Sequence, residues 1–163
     1  MKRILILAAA LLLCAWGAAA QNGKSIYQKY SDAENVSAVY ISPAMFRLMG
    51  KIPDLEVGEN NVNLAPLIRS LSGLYIITSE NPRVNDKMAS EVNHFISNGR
   101  YELLMEAKDA GDVVRMYTVG TEKLVNSFVM LSTEANETTF ICLDGQMDRK
   151  ELEGILVETM KDN

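Results

Sequence analysis

His94, the only histidine of the chain, and Cys142 are the first candidates for chemistry, because a histidine can serve as the base that activates a nucleophile. His94 falls on the polar side of a predicted helix, and no serine occurs in the Gly-x-Ser-x-Gly pattern of many hydrolases. Cys142 lies within an apolar run, whereas a reactive thiol needs exposure and a positive neighbourhood. We therefore interpret His94 as a solvated surface residue and Cys142 as a buried, inert one, and we predict no catalytic residues.

Oxygen ligands for Ca²⁺ are crowded in two segments. The first contains Asp54, Glu56, Glu59, Asn60 and Asn61, and the second contains Asp144-Gly145 and Asp148. Neither segment has the Asp-x-Asp-x-Asp-Gly spacing of a calcium loop. The chain also lacks paired histidines, a Cys-x-x-Cys motif and a glycine-rich phosphate loop. We interpret both segments as solvated turns and predict no metal site and no cofactor.

Two further residue sets have a simple structural explanation. Glu102 and Glu106 fall on one face of a predicted strand, where two carboxylates could perform acid–base chemistry, but a solvated face explains them more simply. The methionines that follow the N-terminal leader are spread over apolar faces, which is typical of core packing. They are Met45, Met49, Met88, Met105, Met116, Met130, Met147 and Met160.

The elements that must position these residues are clearest between Tyr101 and Asp144. This stretch reads as four short strands, Tyr101–Lys108, Val113–Val119, Ser127–Leu131 and Thr139–Leu143, which are joined by turns. Alternation along the first strand places Tyr101, Leu103, Met105 and Ala107 on a buried face. Consecutive strands with short loops pair antiparallel, so we predict a four-strand C-terminal meander.

Upstream of the meander, helices and strands alternate. The predicted elements are a short helix over Ser25–Asp32, a strand over Val36–Ile41, a helix from Ser42-Pro43 to Gly50 with Met45, Phe46, Leu48 and Met49 on its apolar side, a helix through Leu64–Leu71, a strand over Leu74–Thr78, and a helix from Asn81-Pro82 to Asn98-Gly99. Asp148, with Glu151 three residues later, starts a last helix whose inward side is Leu152, Ile155, Leu156 and Thr159. We predict a two-layer α+β fold with a mixed, mostly antiparallel sheet and helices mainly on one face.

The first twenty residues have the pattern of a secretory signal peptide. Lys2 and Arg3 precede a long apolar run, and Ala18-Ala19-Ala20 provides a small-residue cleavage site. We expect cleavage near Ala20, which leaves residues 21–163 as a single domain that is periplasmic or extracellular. A retained membrane anchor and lipidation at Cys14 are the alternatives, although a lipoprotein needs a small residue where Leu13 stands.

The mature chain is acidic and has one cysteine. Removal of Lys2 and Arg3 leaves 14 basic residues against 21 acidic ones, so the formal charge changes from −5 to −7. An acidic domain repels phosphate backbones, which argues against a nucleic-acid partner. Cys142 alone cannot form an intrachain disulfide, so the hydrophobic core must supply the stability.

Four runs of residues are similar to those of a known protein family. They are Ile26-Tyr27-Gln28-Lys29-Tyr30, Val36-Ser37-Ala38-Val39-Tyr40-Ile41-Ser42-Pro43 with Met45-Phe46, Leu74-Tyr75-Ile76, and Tyr101-Glu102-Leu103-Leu104-Met105-Glu106. Over most of the mature chain, they resemble the exported proteins of Bacteroides-type bacteria catalogued as domain of unknown function 4252. The resemblance implies an envelope or secreted location and transfers no functional residues.

These observations favour a non-catalytic envelope protein that binds a protein or a small ligand. We expect the polar segment Lys51–Asn63 to be an exposed loop that could carry recognition. One alternative is a regulatory partner of an envelope signalling system. Another is a small hydrolase that depends on His94.

Overall fold

The computed structural model of the protein describes residues 22–51, 56–57, 62–63 and 65–154. The helices of this part are α1 (Gly23–Tyr30), α2 (Pro43–Met49), α3 (Ala65–Ser70), α4 (Pro82–Asn98) and α5 (149–154). Its strands are β1 (Val36–Ile41), β2 (Glu56–Val57), β3 (Val62–Asn63), β4 (Leu71–Ser79), β5 (Glu102–Asp109), β6 (Asp112–Gly120), β7 (Leu124–Thr133) and β8 (Thr138–Asp148). The predicted leader lies outside the described residues.

Six strands form one sheet in the order β1-β4-β8-β7-β6-β5, and all five pairings are antiparallel. The predicted α+β class and the C-terminal meander are therefore confirmed, but this sheet is antiparallel throughout and not mixed. β4 and β5 run in the same direction but are separated by three strands, so α4 connects them by crossing the sheet. The small strands β2 and β3 form a separate ladder inside the segment that was predicted to be a loop.

The main core lies between one face of the sheet and the helices α1 and α4. Alternate residues of β4 and β8 enter it, among them Ile77 and Phe140, which are register partners and are both fully buried. Met88 and Val92, one turn apart on α4, are also fully buried and pack in the same cluster. We call this side of the sheet the helix face.

A smaller core lies on the opposite side of the sheet, which we call the second face. Phe128 and Leu143 are register partners and alternate with Val129 and Cys142 of the main core, so they point the other way. Leu152 of α5 is buried in this smaller cluster, and Leu67 of α3 packs against it. The helices thus lie mainly, but not entirely, on one face.

Helix caps follow the local sequence closely. The Asn22 side chain accepts a hydrogen bond from the Ser25 backbone N–H, which starts α1 two residues earlier than predicted. Ser42 caps α2 as predicted. Asp148 Oδ1 accepts from the backbone N–H groups of Lys150 and Glu151, at 2.9 and 3.2 Å, which confirms the predicted start of the last helix.

Three local predictions are wrong. β8 continues through Asp144-Gly145 to Asp148, because β4 and β7 both extend far enough to pair with it. β5 is exposed on both sides over most of its length, because it is an edge strand beyond the reach of the helices; Leu103 is 54% exposed. On α2, Phe46 is buried, whereas Met45 and Leu48 are 47% and 61% exposed.

Candidate functional site

An open polar cleft of about 680 Å³ lies where α3 meets the sheet. Its lining, which we call the polar cleft, consists of Arg69, Ser70, Ser72, Asn126, Asp144, Gly145 and Gln146. The residues come from the end of α3, the start of β4, the start of β7 and the end of β8. A cleft of this size can hold a small molecule.

Two irregularities of strand pairing build the cleft. The register between β4 and β8 shifts between Leu71 and Gly73, and the register between β7 and β8 shifts between Val125 and Ser127. The first shift leaves Ser72 without a partner in its ladder, and the second leaves Asn126, Gly145 and Gln146 without partners in theirs. All four line the cleft. A bulge commonly redirects side chains next to a functional site, which matches this arrangement.

Gly145 allows the strand β8 to approach the end of α3. A Cβ atom at this position would lie 2.4 Å from the backbone carbonyl oxygen of Ser70, far inside van der Waals contact. Glycine is therefore required for the close backbone approach that forms the floor of the cleft.

The cleft contains one positive and one negative side chain. The Arg69 guanidinium donates a long hydrogen bond of 3.5 Å to the carbonyl oxygen of Gly50. The half-buried Asp144 carboxylate accepts from the thiol of Cys142, with Oδ1 and Sγ 3.5 Å apart. Among the described residues no ion pair joins Arg69 to Asp144. Each charge can therefore interact with a ligand.

A buried polar group lies behind Asp144 on the helix face. Ser127 Oγ is 3.6 Å from Cys142 Sγ. Burial, and then the neighbouring Asp144 charge, raise the pKa of the Cys142 thiol well above its ordinary value. A thiol with a raised pKa carries little thiolate, so Cys142 is suited to a structural role.

We expect Cys142 to react far more slowly in the folded protein than in the unfolded one. Labelling with a thiol-specific disulfide reagent near neutral pH should be at least on the order of 100-fold slower without denaturant than with it. The physical reason is that the side chain is fully buried and its pKa is raised. Equal rates in the two conditions would show that the thiol is accessible and would contradict this environment.

Three tyrosines are expected to resist ionisation. Burial is the largest cause that raises the pKa of Tyr30, Tyr75 and Tyr101 to about 12. At Tyr30 the Glu91 carboxylate raises the pKa further, whereas at Tyr101 the Ser127 hydroxyl lowers it. Because each pKa is raised above the unfolded value of 10, the stability that they contribute is complete below pH 10 and is lost as the pH approaches about 12. Ultraviolet absorbance of tyrosinate between these pH values should rise when denaturant is added. An unchanged absorbance would contradict the burial.

The residues first singled out in the sequence do not converge on the cleft. His94 is exposed on α4, where its Nε2 lies 2.9 Å from the Asn98 side-chain nitrogen, and it is not among the lining residues. Asp144 lines the cleft, whereas Asp148, four residues later, caps α5. The first acidic segment, Asp54 to Asn61, lies outside the described side chains.

Glu102 and Glu106 do not share a strand face, contrary to the sequence pattern. The register between β5 and β6 shifts between Leu103 and Met105, so Glu102 pairs with Thr118 while Glu106 pairs with Arg115. Thr118 and Arg115 point to opposite sides of β6 because they are three residues apart. Glu106 forms ion pairs with Arg115 and Lys108, at 2.7 and 2.8 Å, and these neighbours lower its pKa.

Sequence reasoning missed the cleft, although one signal pointed toward it. Glycines within strands often mark bulges or close backbone approaches, and Gly73 and Gly145 both occur inside strands here. The sequence pattern instead predicts a turn at Asp144-Gly145. Arg69 and Asn126 carry no signal of their own, because nothing local indicates that they will lie close together.

The described part of the chain holds neither a grouping of metal ligands nor a helix that could span a membrane. Over residues 22–51 and 65–154, with the short strands between them, no group of three His, Cys, Asp or Glu side chains is arranged to hold a metal ion. Within the same part, no helix has both the length and the apolar character needed to cross a membrane.

Comparison with known proteins gives one match. A family model described as "Domain of unknown function (DUF4252)" matches residues 30–155, which include β1, the whole meander and every residue that lines the cleft. Searches of curated proteins and of solved structures found no match to this chain.

Proposed function

We propose, starting from the fact that the chain belongs to the DUF4252 family, that it is a non-catalytic, exported envelope protein that binds a small polar ligand in the polar cleft. The ligand class that fits best is a zwitterion, such as a free amino acid or the end of a short peptide. Export rests on the charged start, apolar run and Ala18-Ala19-Ala20 site of the leader.

The observation that carries the proposal is the pair of opposite charges in one open cleft, neither of which neutralises the other. Arg69 can donate two parallel hydrogen bonds to a carboxylate, and Asp144 can accept hydrogen bonds from an ammonium group. Ser70, Ser72 and Asn126 add neutral donors and acceptors. An uncharged ligand would offer neither charge an ionic partner.

The surroundings of Asp144 support binding rather than catalysis. Cys142, whose thiol donates to Asp144, is buried and has a raised pKa, so it holds its proton. Asp144 is the one carboxylate among the cleft residues, whereas acid–base hydrolysis commonly uses a pair. Both features suit a site that holds a ligand without transforming it.

Thermal unfolding of residues 21–163 with free amino acids tests the proposal. Acetate carries only the carboxylate of an amino acid and therefore tests the Arg69 half of the site. Ethylamine carries only the ammonium group and tests the Asp144 half. A ligand at about 100 times its Kd stabilises the folded state by about 2.7 kcal/mol, which raises Tm by several degrees in a domain of this size. We expect a saturable rise in Tm with at least one amino acid and a much smaller rise with either half.

Charge-removing variants identify the site. Asp144→Asn and Arg69→Gln should abolish the rise in Tm, whereas the matched controls Glu80→Gln and Arg83→Gln, at exposed positions outside the cleft, should retain it. A rise that survives both cleft substitutions would place the ligand elsewhere. The absence of any rise across the amino acids would contradict the zwitterion class.

Two outcomes would favour the alternative functions. A stoichiometric complex with one membrane protein, captured by immobilised residues 21–163 from detergent-solubilised envelope, would favour a regulatory partner of an envelope signalling system. Turnover of esters, glycosides or peptides that is lost in His94→Ala would favour a hydrolase. Export is checked separately: the N-terminal residue of the processed protein should be Gln21.

A further inference from the structure

The two edges of the six-stranded sheet differ in their protection against further pairing. The edge strand β5 contains four charged residues and a bulge, and both features oppose the addition of another strand. The other edge strand, β1, contains no charged residue, proline or glycine, and its register with β4 has no shift. A regular, uncharged edge is a template for another strand, so β1 is the edge at which pairing is expected.

The backbone groups of β1 that point away from the sheet can be assigned from one hydrogen bond. The Glu80 backbone N–H donates to the carbonyl oxygen of Asn35 at 3.0 Å, and the register of β1 and β4 places these two residues opposite each other. Pairs that exchange hydrogen bonds alternate along an antiparallel ladder. The N–H and C=O groups of Val36, Ala38 and Tyr40 therefore point outward, and no backbone hydrogen bond within the described part of the chain engages them.

Exposed apolar side chains are concentrated at the same edge. Of the seven large apolar residues that are exposed in the described part of the chain, four lie on β1 and on α2, which follows it. They are Val39, Tyr40, Met45 and Leu48, with exposures of 48%, 43%, 47% and 61%. The Tyr40 ring is held in place, because it stacks on the buried Tyr75 ring with centroids 5.2 Å apart. Such a patch beside an open edge is typical of a surface that contacts another chain.

The segments on either side of β1 carry opposite charges. Asp32 and Glu34 lie just before the strand, whereas Arg47 and Lys51 follow it, and all four are exposed. None of them belongs to an ion pair between described residues. An antiparallel second copy of β1 would bring the acidic segment of each chain to the basic segment of the other. A parallel copy would instead place like charges together.

One antiparallel register uses every outward-facing residue of β1. A two-fold axis at Ala38 places Ala38 opposite its own copy and Tyr40 opposite the partner's Val36. All three outward-facing residues then form hydrogen-bonded pairs, and an aromatic ring lies against a β-branched side chain, which is a favourable cross-strand pair. A shift of two residues in either direction would leave one of the three without a partner in β1.

We propose that two copies of the chain associate through antiparallel pairing of β1 with β1 about a two-fold axis at Ala38, which joins their sheets edge to edge. The second copy supplies both the complementary backbone groups and the reversed order of charges. The residues that line the polar cleft lie on other elements, so this association does not depend on ligand binding there.

Sedimentation equilibrium of the mature chain, residues 21–163, tests the association directly. The average mass should rise with concentration from that of one chain toward that of two and should not go beyond two, because a two-fold axis at an edge strand closes the assembly. A mass of one chain at every concentration would overturn the proposal. Growth beyond two chains would also overturn it.

Cysteine cross-linking tests the position of the axis. Ala38→Cys would place two thiols in a hydrogen-bonded pair with Cα atoms about 5.5 Å apart, within the range of a disulfide. Val39→Cys is the matched control: Val39 is more exposed than Ala38, but two strand residues and one strand spacing would separate its Cα from its counterpart by about 8 Å. Under mild oxidation Ala38→Cys should form the linked dimer at least several-fold faster. Equal rates, or a faster rate for Val39→Cys, would overturn the register.

A charge exchange tests the antiparallel orientation. Glu34→Lys and Arg47→Glu should each raise the dissociation constant of the dimer at least several-fold at low salt, because each substitution places like charges together at both ends of the paired strands. An equimolar mixture of the two variants should restore association, since each end of the mixed dimer then joins a positive to a negative side chain. A mixture that associates no better than the separate variants would overturn the orientation.

Discussion

Replacing Phe140 by alanine is expected to lower the free energy of unfolding by about 3–5 kcal/mol, because it removes a large side chain from a fully packed site. Phe140 is 0% exposed and pairs with Ile77 on one side and Leu131 on the other, so buried neighbours flank it in both directions. Domains of this size are stable by only about 5–15 kcal/mol, so the variant would lose a large share of its stability.

Urea unfolding of the mature chain measures this effect. Leu48→Ala is the control, because Leu48 is 61% exposed and its loss should change the free energy by no more than about 0.5 kcal/mol. The urea midpoint of Phe140→Ala should fall strongly, with little change in the slope of the transition. Equal effects at the two positions would mean that Phe140 does not occupy the centre of the core.

Gly145→Ala is expected to destabilise the protein by about 1–3 kcal/mol, which is typical of an added group in a packed site. The added Cβ would lie 2.4 Å from the Ser70 carbonyl oxygen and 3.0 Å from Leu71 Cα, and both are backbone atoms that cannot rotate away. Relief of the clash requires α3 and the start of β4 to move away from β8. Since these elements line the polar cleft, the same substitution should weaken ligand binding there.

Gly154→Ala is the matched control for this substitution. A Cβ at Gly154 meets no atom within 4 Å, and alanine favours a helix over glycine by up to about 1 kcal/mol. The two variants should therefore change the urea midpoint in opposite directions. If Gly145→Ala leaves the free energy of unfolding unchanged, α3 can move away from β8 at little cost. The close approach of the two backbones would then not require a glycine.

Several features of the protein follow from short-range sequence signals. Ser42-Pro43 starts a helix and Asp148 caps another, because a cap needs only hydrogen bonds within three residues. The meander follows from short turns between alternating strands. The burial of Cys142 follows from its apolar neighbours.

Other features required the assembled sheet. Alternation predicts two faces for a strand, but whether a face is covered depends on the position of the strand in the sheet, which is why β5 is exposed despite its apolar residues. The bulge near Leu104 likewise places Glu102 and Glu106 on opposite faces of β5, and no local sequence pattern predicts this bulge.

The sequence by itself determined the α+β class, the meander, most helix starts and the DUF4252 family, because each of these depends on residues that are close in the chain or on a whole-chain pattern. Only the tertiary structure decided the polar cleft. Arg69 and Asp144 are distant in sequence, and register across six strands is fixed by the free energy of all the pairings together. The candidate binding site of this protein therefore depends on strand register and not on any sequence motif.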